Sequence, residues 1–343
     1  MRAIRPATTR TSLLYLLTLL LSVCIAANAQ AQQPSSRHKP AAGKPAASAK
    51  QARKPGKIIT RQNLRKPQEK KVPVAMRRSS APAATAHEGP HAAAQLRSET
   101  AFAIDLNSST VLFDKNSNEI RPIASISKLM TALIVAESGL PMNETLTISD
   151  EDVDRLRHSR SRLAVGTRLS RADMLHLALM SSENRAAHAL GRYYPGGMPA
   201  FVRAMNDKAR SLGMRSTHFV EPTGLSANNV STARDLAKLL RAVSKQPLIH
   251  RYTTDDKYEI ALGSGRQLVY NNTNGLVRNE AWDIKISKTG FINEAGECLV
   301  MITRIDNRDV AMVFLNSTGR YSRIGDAVRM RSIVENSPRL ALL

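Results

Sequence analysis

Ser125 and Lys128 stand three positions apart, Ser182 and Asn184 two apart, and Lys288, Thr289 and Gly290 are contiguous, in that order along the chain. A serine hydroxyl is a poor nucleophile until a base takes its proton. In Ser125-Ile126-Ser127-Lys128 the serine and lysine fall on one face of a helix, as side-chain neighbours. Lysine serves as that base only when neutral, so its pKa must fall several units below ~10.4. Burial lowers it, and so does a second cation, for which Lys288 is the candidate. The three motifs together describe serine acyl transfer in which a lysine activates the nucleophile.

The remaining residues take complementary parts. Ser125 is the expected nucleophile, placed at a helix start where the dipole favours developing negative charge. Ser182 is expected between the two lysines, relaying a proton to the leaving amine, and Asn184 is expected to bond Lys128 and a substrate amide. Lys288 and Thr289 are expected to bind a substrate carboxylate. The oxyanion needs two N–H donors, assigned to Ser125 and Phe291, with Gly290 permitting close backbone approach. Taken singly, each motif has an ordinary alternative. Lys128 reads as a solvated helix lysine, Ser182-Glu183-Asn184 as a helix cap, and Lys288-Thr289-Gly290 as a strand-end turn. Chance copies also occur, at Ser36 to Lys39 and at Ser226-Ala227-Asn228. Order and placement on helix start, helix connection and strand make the set specific.

The elements that must hold these residues follow from periodicity. Thr100 to Asp105 and Val111 to Lys115, around Asn107-Ser108-Ser109, predict a β-hairpin. Ile126 to Val135 predicts a buried helix starting at Ser125. Ser170-Arg171-Ala172-Asp173 is a capping box for a helix through Met180. Further helices are predicted from Arg185 to Gly191, from Phe201 to Leu212 with a stop at Gly213, and from Thr232 to Val243. Lys257 to Leu262, Gln267 to Asn271, Trp282 to Thr289, Glu297 to Arg304 and Val310 to Asn316 read as strands. A terminal helix is marked by Ile324, Val328, Arg331 and Ile333. The order predicts an α+β domain whose antiparallel sheet uses both ends of the folded region.

The chain has 343 residues and a formal charge of +22, unevenly placed. Residues 31–100 carry 15 Lys/Arg against 3 Asp/Glu, whereas residues 101–343 are only mildly basic, at +7. Without interleaved aromatics the basic segment is not read as nucleic-acid binding. Arg2, Arg5 and Arg10, the apolar run Leu13 to Ala26, and Ala27-Asn28-Ala29 form an expected signal peptide over 1–29. An uncleaved anchor and a lipoprotein site at Cys24 are the competing readings. Residues 30–97, rich in Ala, Pro and Lys, are expected to form a disordered basic linker, either a plain tether or an electrostatic contact with an anionic envelope. Residues 98–338 form the expected catalytic domain. Cys298, in an apolar run, reads as a small buried hydrophobe. His158, His176, His188, His218 and His250 show no ligand spacing, so neither metal nor cofactor is expected.

Ile123-Ala124-Ser125-Ile126-Ser127-Lys128-Leu129-Met130-Thr131-Ala132, Leu177 to Ala187, Glu221-Pro222-Thr223-Gly224-Leu225 and Ser231 to Leu236 resemble the low-molecular-mass penicillin-binding proteins, the serine D-Ala-D-Ala carboxypeptidases and endopeptidases. Ser181 to Ala187 with Lys288 to Gly296 is most similar to D,D-endopeptidases of the penicillin-binding protein 7 type. The resemblance covers about residues 98–337. It implies a β-lactamase/transpeptidase-like fold with the active site between the sheet and a mainly helical lobe. It also implies a periplasmic monomer acting on peptidoglycan peptides, an endopeptidase cutting D-Ala-diaminopimelate cross-links, and covalent inhibition by β-lactams. The alternatives are a D-Ala-D-Ala carboxypeptidase, a class A-like β-lactamase suggested by Glu221-Pro222, and an inactive peptidoglycan-binding module. About 50 residues follow Lys288-Thr289-Gly290, too few for the added C-terminal domain of many carboxypeptidase relatives.

Overall fold

The computed structural model describes residues 96–336 apart from Ser264 and Arg320; the expected signal peptide and nearly all of the expected linker lie outside the described residues. Five strands form the principal sheet: β1 (Ser98–Asp105), β2 (Val111–Lys115), β9 (Asp283–Ile292), β10 (Gly296–Ile305) and β11 (Arg308–Ser317). Their order is β2-β1-β11-β10-β9, all antiparallel, so the first and last strands of the domain are neighbours. The register pairs Thr100 with Leu315 and Phe102 with Val313, which joins both ends of the described chain as the sequence pattern predicts.

Both faces of this sheet are covered, which explains why β10 and β11 read as continuous apolar runs. Side chains alternate across a strand. Val300, Ile302, Ala311 and Val313 therefore join the core shared with the helical lobe, whereas Leu299, Met301, Met312 and Phe314 face the opposite layer. That layer is closed by α7 (Ser322–Asn336) through Ala327, Met330 and Val334. The face of this helix differs from the predicted one. Val328 is 48% exposed, and the inward stripe runs through Asp326, Ala327, Met330 and Val334. A buried carboxylate on that stripe masked it in the sequence, because Asp326 accepts bonds from the Arg97 and Ser98 amides and pins the start of β1.

The helical lobe comprises α1 (Lys128–Glu137), α2 (Arg171–Met180), α3 (Asn184–Arg192), α4 (Gly197–Ser211) and α5 (Ala233–Val243). The Ser170 hydroxyl caps α2 by accepting from the Asp173 amide, and Thr232 caps α5 through the Asp235 amide, as predicted. One helix was missed, α6 (Pro247–Thr254), although Pro247 at its first turn was a start signal. Short pairs join β3 (Arg121–Pro122) to β6 (Val230–Ser231) and β4 (Thr145–Thr147) to β5 (Arg168–Ser170), and β7 (Lys257–Ala261) and β8 (Gln267–Asn271) form a separate hairpin rather than extending the sheet.

Helix α1 is apolar on every side and is buried from Lys128 to Val135. The nucleophile lies just before it, in a tight 3₁₀ turn over Ala124–Ser127, not in the first α-helical turn as expected. Ala124 at the head of this turn has φ +48, a conformation held by its surroundings. Gly224 has φ +81, and a Cβ there would lie 1.8 Å from Ala124 O. A Cβ on Gly290 of β9 would lie 3.0 Å from Ser125 N. The turn bearing Ser125 is thus gripped between a loop and the edge strand. The following loop of the lobe is anchored through Asp152. It accepts from Ser149 N at 2.8 Å and from Arg192 Nη2 at 2.7 Å, and faces His188 Nδ1 at 2.8 Å.

Two outcomes follow from this packing. Gly224→Ala is expected to displace the Ser125 turn and cut the rate of acylation at Ser125 by more than ~10²-fold, because small misplacements of reacting atoms carry that cost; stopped-flow acylation measures it. For Asp152, burial alone would raise the pKa, but hydrogen bonds from His188 and Arg192 outweigh it and hold the carboxyl at about 2. The unfolded carboxyl titrates near ~3.9. The stabilisation is therefore complete above that value and is lost as pH falls towards about 2. Asp152→Asn is expected to lower unfolding free energy by roughly 2–4 kcal/mol at pH 7 and to flatten the acid limb. Urea unfolding of both proteins at pH 7 and pH 3 checks both parts.

Candidate active site

A cavity of about 660 Å³ opens between β9 and the helical lobe, with Ser125, Ser182, Asn184, Thr289, Gly290 and Phe291 in its lining. The sequence-predicted residues therefore converge on one place. Lys128 Nζ lies 2.9 Å from Ser125 Oγ, the distance for direct proton exchange. It also donates to Asn184 Oδ1 at 2.8 Å and to Thr223 O at 2.6 Å. Asn184 is fixed in turn, its Nδ2 donating to Ser159 Oγ at 2.9 Å.

Burial inside the all-apolar α1 brings the Lys128 pKa down to about 8, against the opposing fields of Glu221 and Glu183. Of the two causes expected from the sequence, burial carries the lowering, whereas Lys288 is not among the groups that shift Lys128. Lys288 is itself buried, and its pKa is driven well below the usual value by desolvation, then by Lys128, then by Arg323. The charge of Lys128 thus acts on Lys288, while dehydration acts on Lys128. Lys288 Nζ donates to Thr289 O at 2.9 Å, and Thr289 Oγ1 donates to Thr273 Oγ1 at 2.7 Å.

Ser182 lies in the connection between α2 and α3 with φ +61 and presents its residue to the cavity. Among the described residues no hydrogen bond joins its hydroxyl to either lysine, which leaves the hydroxyl available to a bound group. β9 is the outer strand of the sheet, and Gly290 lies against the Ser125 turn. The backbone of Phe291 and the Ser125 amide therefore border the same space, while the Phe291 ring is 57% exposed at the mouth.

Several participants lie outside the predicted site set, although Glu221 to Leu225 is one of the segments that carry the resemblance. Thr223 acts through a backbone carbonyl, which no side-chain pattern reveals. Glu221 organises that loop: its carboxylate accepts from the amides of Thr223 (2.6 Å), Gly224 (2.7 Å) and Ser226 (3.2 Å) and from Asn229 Nδ2 (3.1 Å). These bonds occupy both oxygens within its own loop, so the resemblance of Glu221-Pro222 to a water-activating glutamate is not matched by its geometry. Arg323, on α7, lines the cavity, donates to Gly290 O at 3.2 Å and pairs with Glu297. Its Nε is buried without a hydrogen-bond partner among the described residues, and burial lowers its pKa to about 10. A cation so placed beside Thr289 can take an anionic group entering the cavity.

His176 and Cys298 are structural, as the sequence suggested. The His176 ring stacks on Tyr252 at 4.3 Å, and burial lowers its pKa to about 4. Burial pushes the Cys298 thiol up to about 12, leaving it unreactive.

Known proteins resemble this chain in sequence and fold. Residues 84–319 match the D-alanyl-D-alanine carboxypeptidase family. A D-alanyl-D-alanine endopeptidase of Escherichia coli is 48% identical over 243 residues, covering 70% of this chain and 78% of that protein. One of Pseudomonas aeruginosa is 47% identical over 249 residues, covering 72% and 80%. Among solved structures, a DD-transpeptidase of Streptomyces superposes with TM-score 0.65 at 27% identity, covering 70% of this chain and 97% of that one. A penicillin-binding protein of Listeria monocytogenes in its ampicillin-bound form gives TM-score 0.60 at 27% identity, covering 70% and 97%. With two thirds of its length matched, this chain belongs to the D-alanyl-D-alanine carboxypeptidase family, a family of serine D,D-peptidases with the β-lactamase-like fold.

Proposed function

We propose that this chain is a serine D,D-endopeptidase that opens D-Ala-diaminopimelate cross-links of peptidoglycan through an acyl-enzyme on Ser125. The observation that carries the reading is the buried Lys128 amine 2.9 Å from Ser125 Oγ with a pKa of about 8. Lys128 takes the hydroxyl proton as Oγ attacks the D-alanyl carbonyl. The oxyanion forms between the amides of Ser125 and Phe291. The Ser182 hydroxyl passes a proton to the leaving amine, the C–N bond breaks, and Ser125 retains the acyl group as an ester. Water then attacks this ester with Lys128 again as base, returning Ser125 and a free D-alanyl carboxylate. Asn184 and the Gly290–Phe291 backbone align the donor peptide, and Lys288 and Thr289 hold the carboxylate of the departing D-centre. A β-lactam, which mimics the D-alanyl-D-alanine unit, would acylate the same oxygen.

The endopeptidase choice rests on the names of the relatives at 47–48% identity. A periplasmic site of action is part of the same proposal, with residues 1–29 as signal peptide, 30–97 as tether and 98–338 as the catalytic domain. No described helix is long and apolar enough to cross a membrane.

Ser125→Ala is expected to abolish labelling by fluorescent penicillin, and Lys128→Ala to slow it by ~10²–10⁴-fold. Lys128 must be neutral to accept the proton, so the acylation rate of the native enzyme is expected to fall as pH drops through about 8. A flat rate from pH 6 to 9 would remove Lys128 as the base.

Purified dimeric muropeptides are expected to be converted to monomers faster than pentapeptide monomers release D-Ala. Chromatography of both reactions decides the matter; rapid D-Ala release with intact dimers would make the enzyme a carboxypeptidase.

A further inference from the structure

One end of the cavity is crossed by an ion pair that the acyl-transfer scheme does not use. Arg157 Nη2 lies 2.8 Å from Glu294 Oε2. Arg157 belongs to the lobe loop that lines one wall, and Glu294 stands in the turn between β9 and β10, directly after wall residues Phe291, Ile292 and Asn293. Arg157 is held ready for this role. Its Nε donates to Leu225 O at 2.5 Å. Asp154 fixes the loop by accepting from the amides of Leu156, Arg157 and Ser159 at 2.9, 3.0 and 2.8 Å.

The pair is partly solvated, with side-chain exposures of 23% and 48%, so separating its members costs little. Leu156 and Phe291, 65% and 57% exposed, place bare apolar surface at the same mouth. The site therefore offers a cation, an anion and two apolar faces. That set matches an aliphatic side chain ending in an ammonium and a carboxylate on one carbon. Such a head replaces one ion pair by two, its carboxylate on Arg157 and its ammonium on Glu294.

The position along the cleft suits the donor peptide. With the departing carboxylate at Lys288 and Thr289, the donor runs the other way, from Gly290 towards Asn293. An extended peptide advances ~3.3 Å per residue, so the residue preceding the scissile D-alanine comes alongside the turn bearing Glu294. We infer that Arg157 and Glu294 are specificity-determining residues that select donor peptides whose residue before the scissile D-alanine carries a free zwitterionic amino-acid head. This rests on the endopeptidase reading and adds to it which strand of a cross-link acts as donor, namely one whose diamino acid side chain is unlinked.

The test uses the full chain and synthetic cross-linked peptides, each joining the scissile D-alanine to the same acceptor diamino acid, that differ only in the side chain of the donor residue preceding that D-alanine. One carries the free amino-acid head, a second has its amine acetylated, and a third has its carboxylate amidated. The native enzyme is expected to favour the free head in kcat/KM by ~2–5-fold over each blocked form, the scale of a partly solvated charge pair. Glu294→Gln is expected to erase the preference over the acetylated peptide while keeping that over the amidated one. Arg157→Gln is expected to do the reverse. Each preference is a ratio within one protein, so a uniform loss from a perturbed fold leaves it unmoved. Ratios unchanged in both variants, or equal rates of the native enzyme on all three peptides, would overturn the inference. A native enzyme that is labelled by penicillin but opens none of the three would overturn the endopeptidase reading, and the inference with it.

Discussion

Dehydration of a single ammonium group organises this molecule. An amine in water holds its proton near ~10.4 and cannot serve as a base at neutral pH. Lys128 is placed on a helix whose every face is apolar, so packing α1 into the core strips the amine of water whether or not other cations are near. Three acceptors then receive it: Ser125 Oγ, Asn184 Oδ1 and Thr223 O. They come from three separate parts of the chain, and most of the architecture around the cavity serves to bring them to one nitrogen.

Each acceptor depends on its own support. The Ser125 turn is pressed between Gly224 and Gly290. Thr223 sits in a loop wrapped on the Glu221 carboxylate, and Asn184 is held by Ser159, whose loop is ordered by Asp154 and anchored near Asp152. The acidic residues near the cavity thus serve mainly as internal templates for loops. Their hydrogen-bonding capacity is used on backbone amides, which rigidifies the walls without supplying a second base at the reacting oxygen.

Much of this was legible in the sequence because it rests on local rules. The capping box at Ser170, the cap at Thr232 and the stop at Gly213 each depend on a few adjacent residues. Alternating contacts of β10 and β11 with two cores accounted for their unbroken apolar runs. The spacing of Ser125, Ser182, Asn184 and Lys288 to Phe291 let one site be expected, and Ser125, Ser182, Asn184 and Thr289 to Phe291 do line one cavity. What escaped depended on distant contacts or on backbone atoms. The Thr223 carbonyl, the Arg323 guanidinium and the Arg157–Glu294 pair have no local signature. The inward face of α7 differs from the predicted one because its first buried residue is a charged Asp326 satisfied by β1. Of the two causes expected for the Lys128 shift, burial suffices, and the second cation adds nothing to it.

The pairing of β1 with β11 also bears on how the enzyme comes into being. Ser98 meets Ser317 and Asp105 meets Val310, partners separated by more than 200 positions. Closing so long a loop carries an entropic cost before any contact rewards it, and folds rich in such pairings form slowly. Ser125 and Lys128 are made early on the ribosome, whereas β9 and the strands that carry it arrive late. A growing chain therefore holds its nucleophile without the wall that aligns a substrate. Hydrolytic competence therefore waits on the closing of the sheet: until β9 to β11 have joined the start of the domain, the nucleophile stands without its substrate wall.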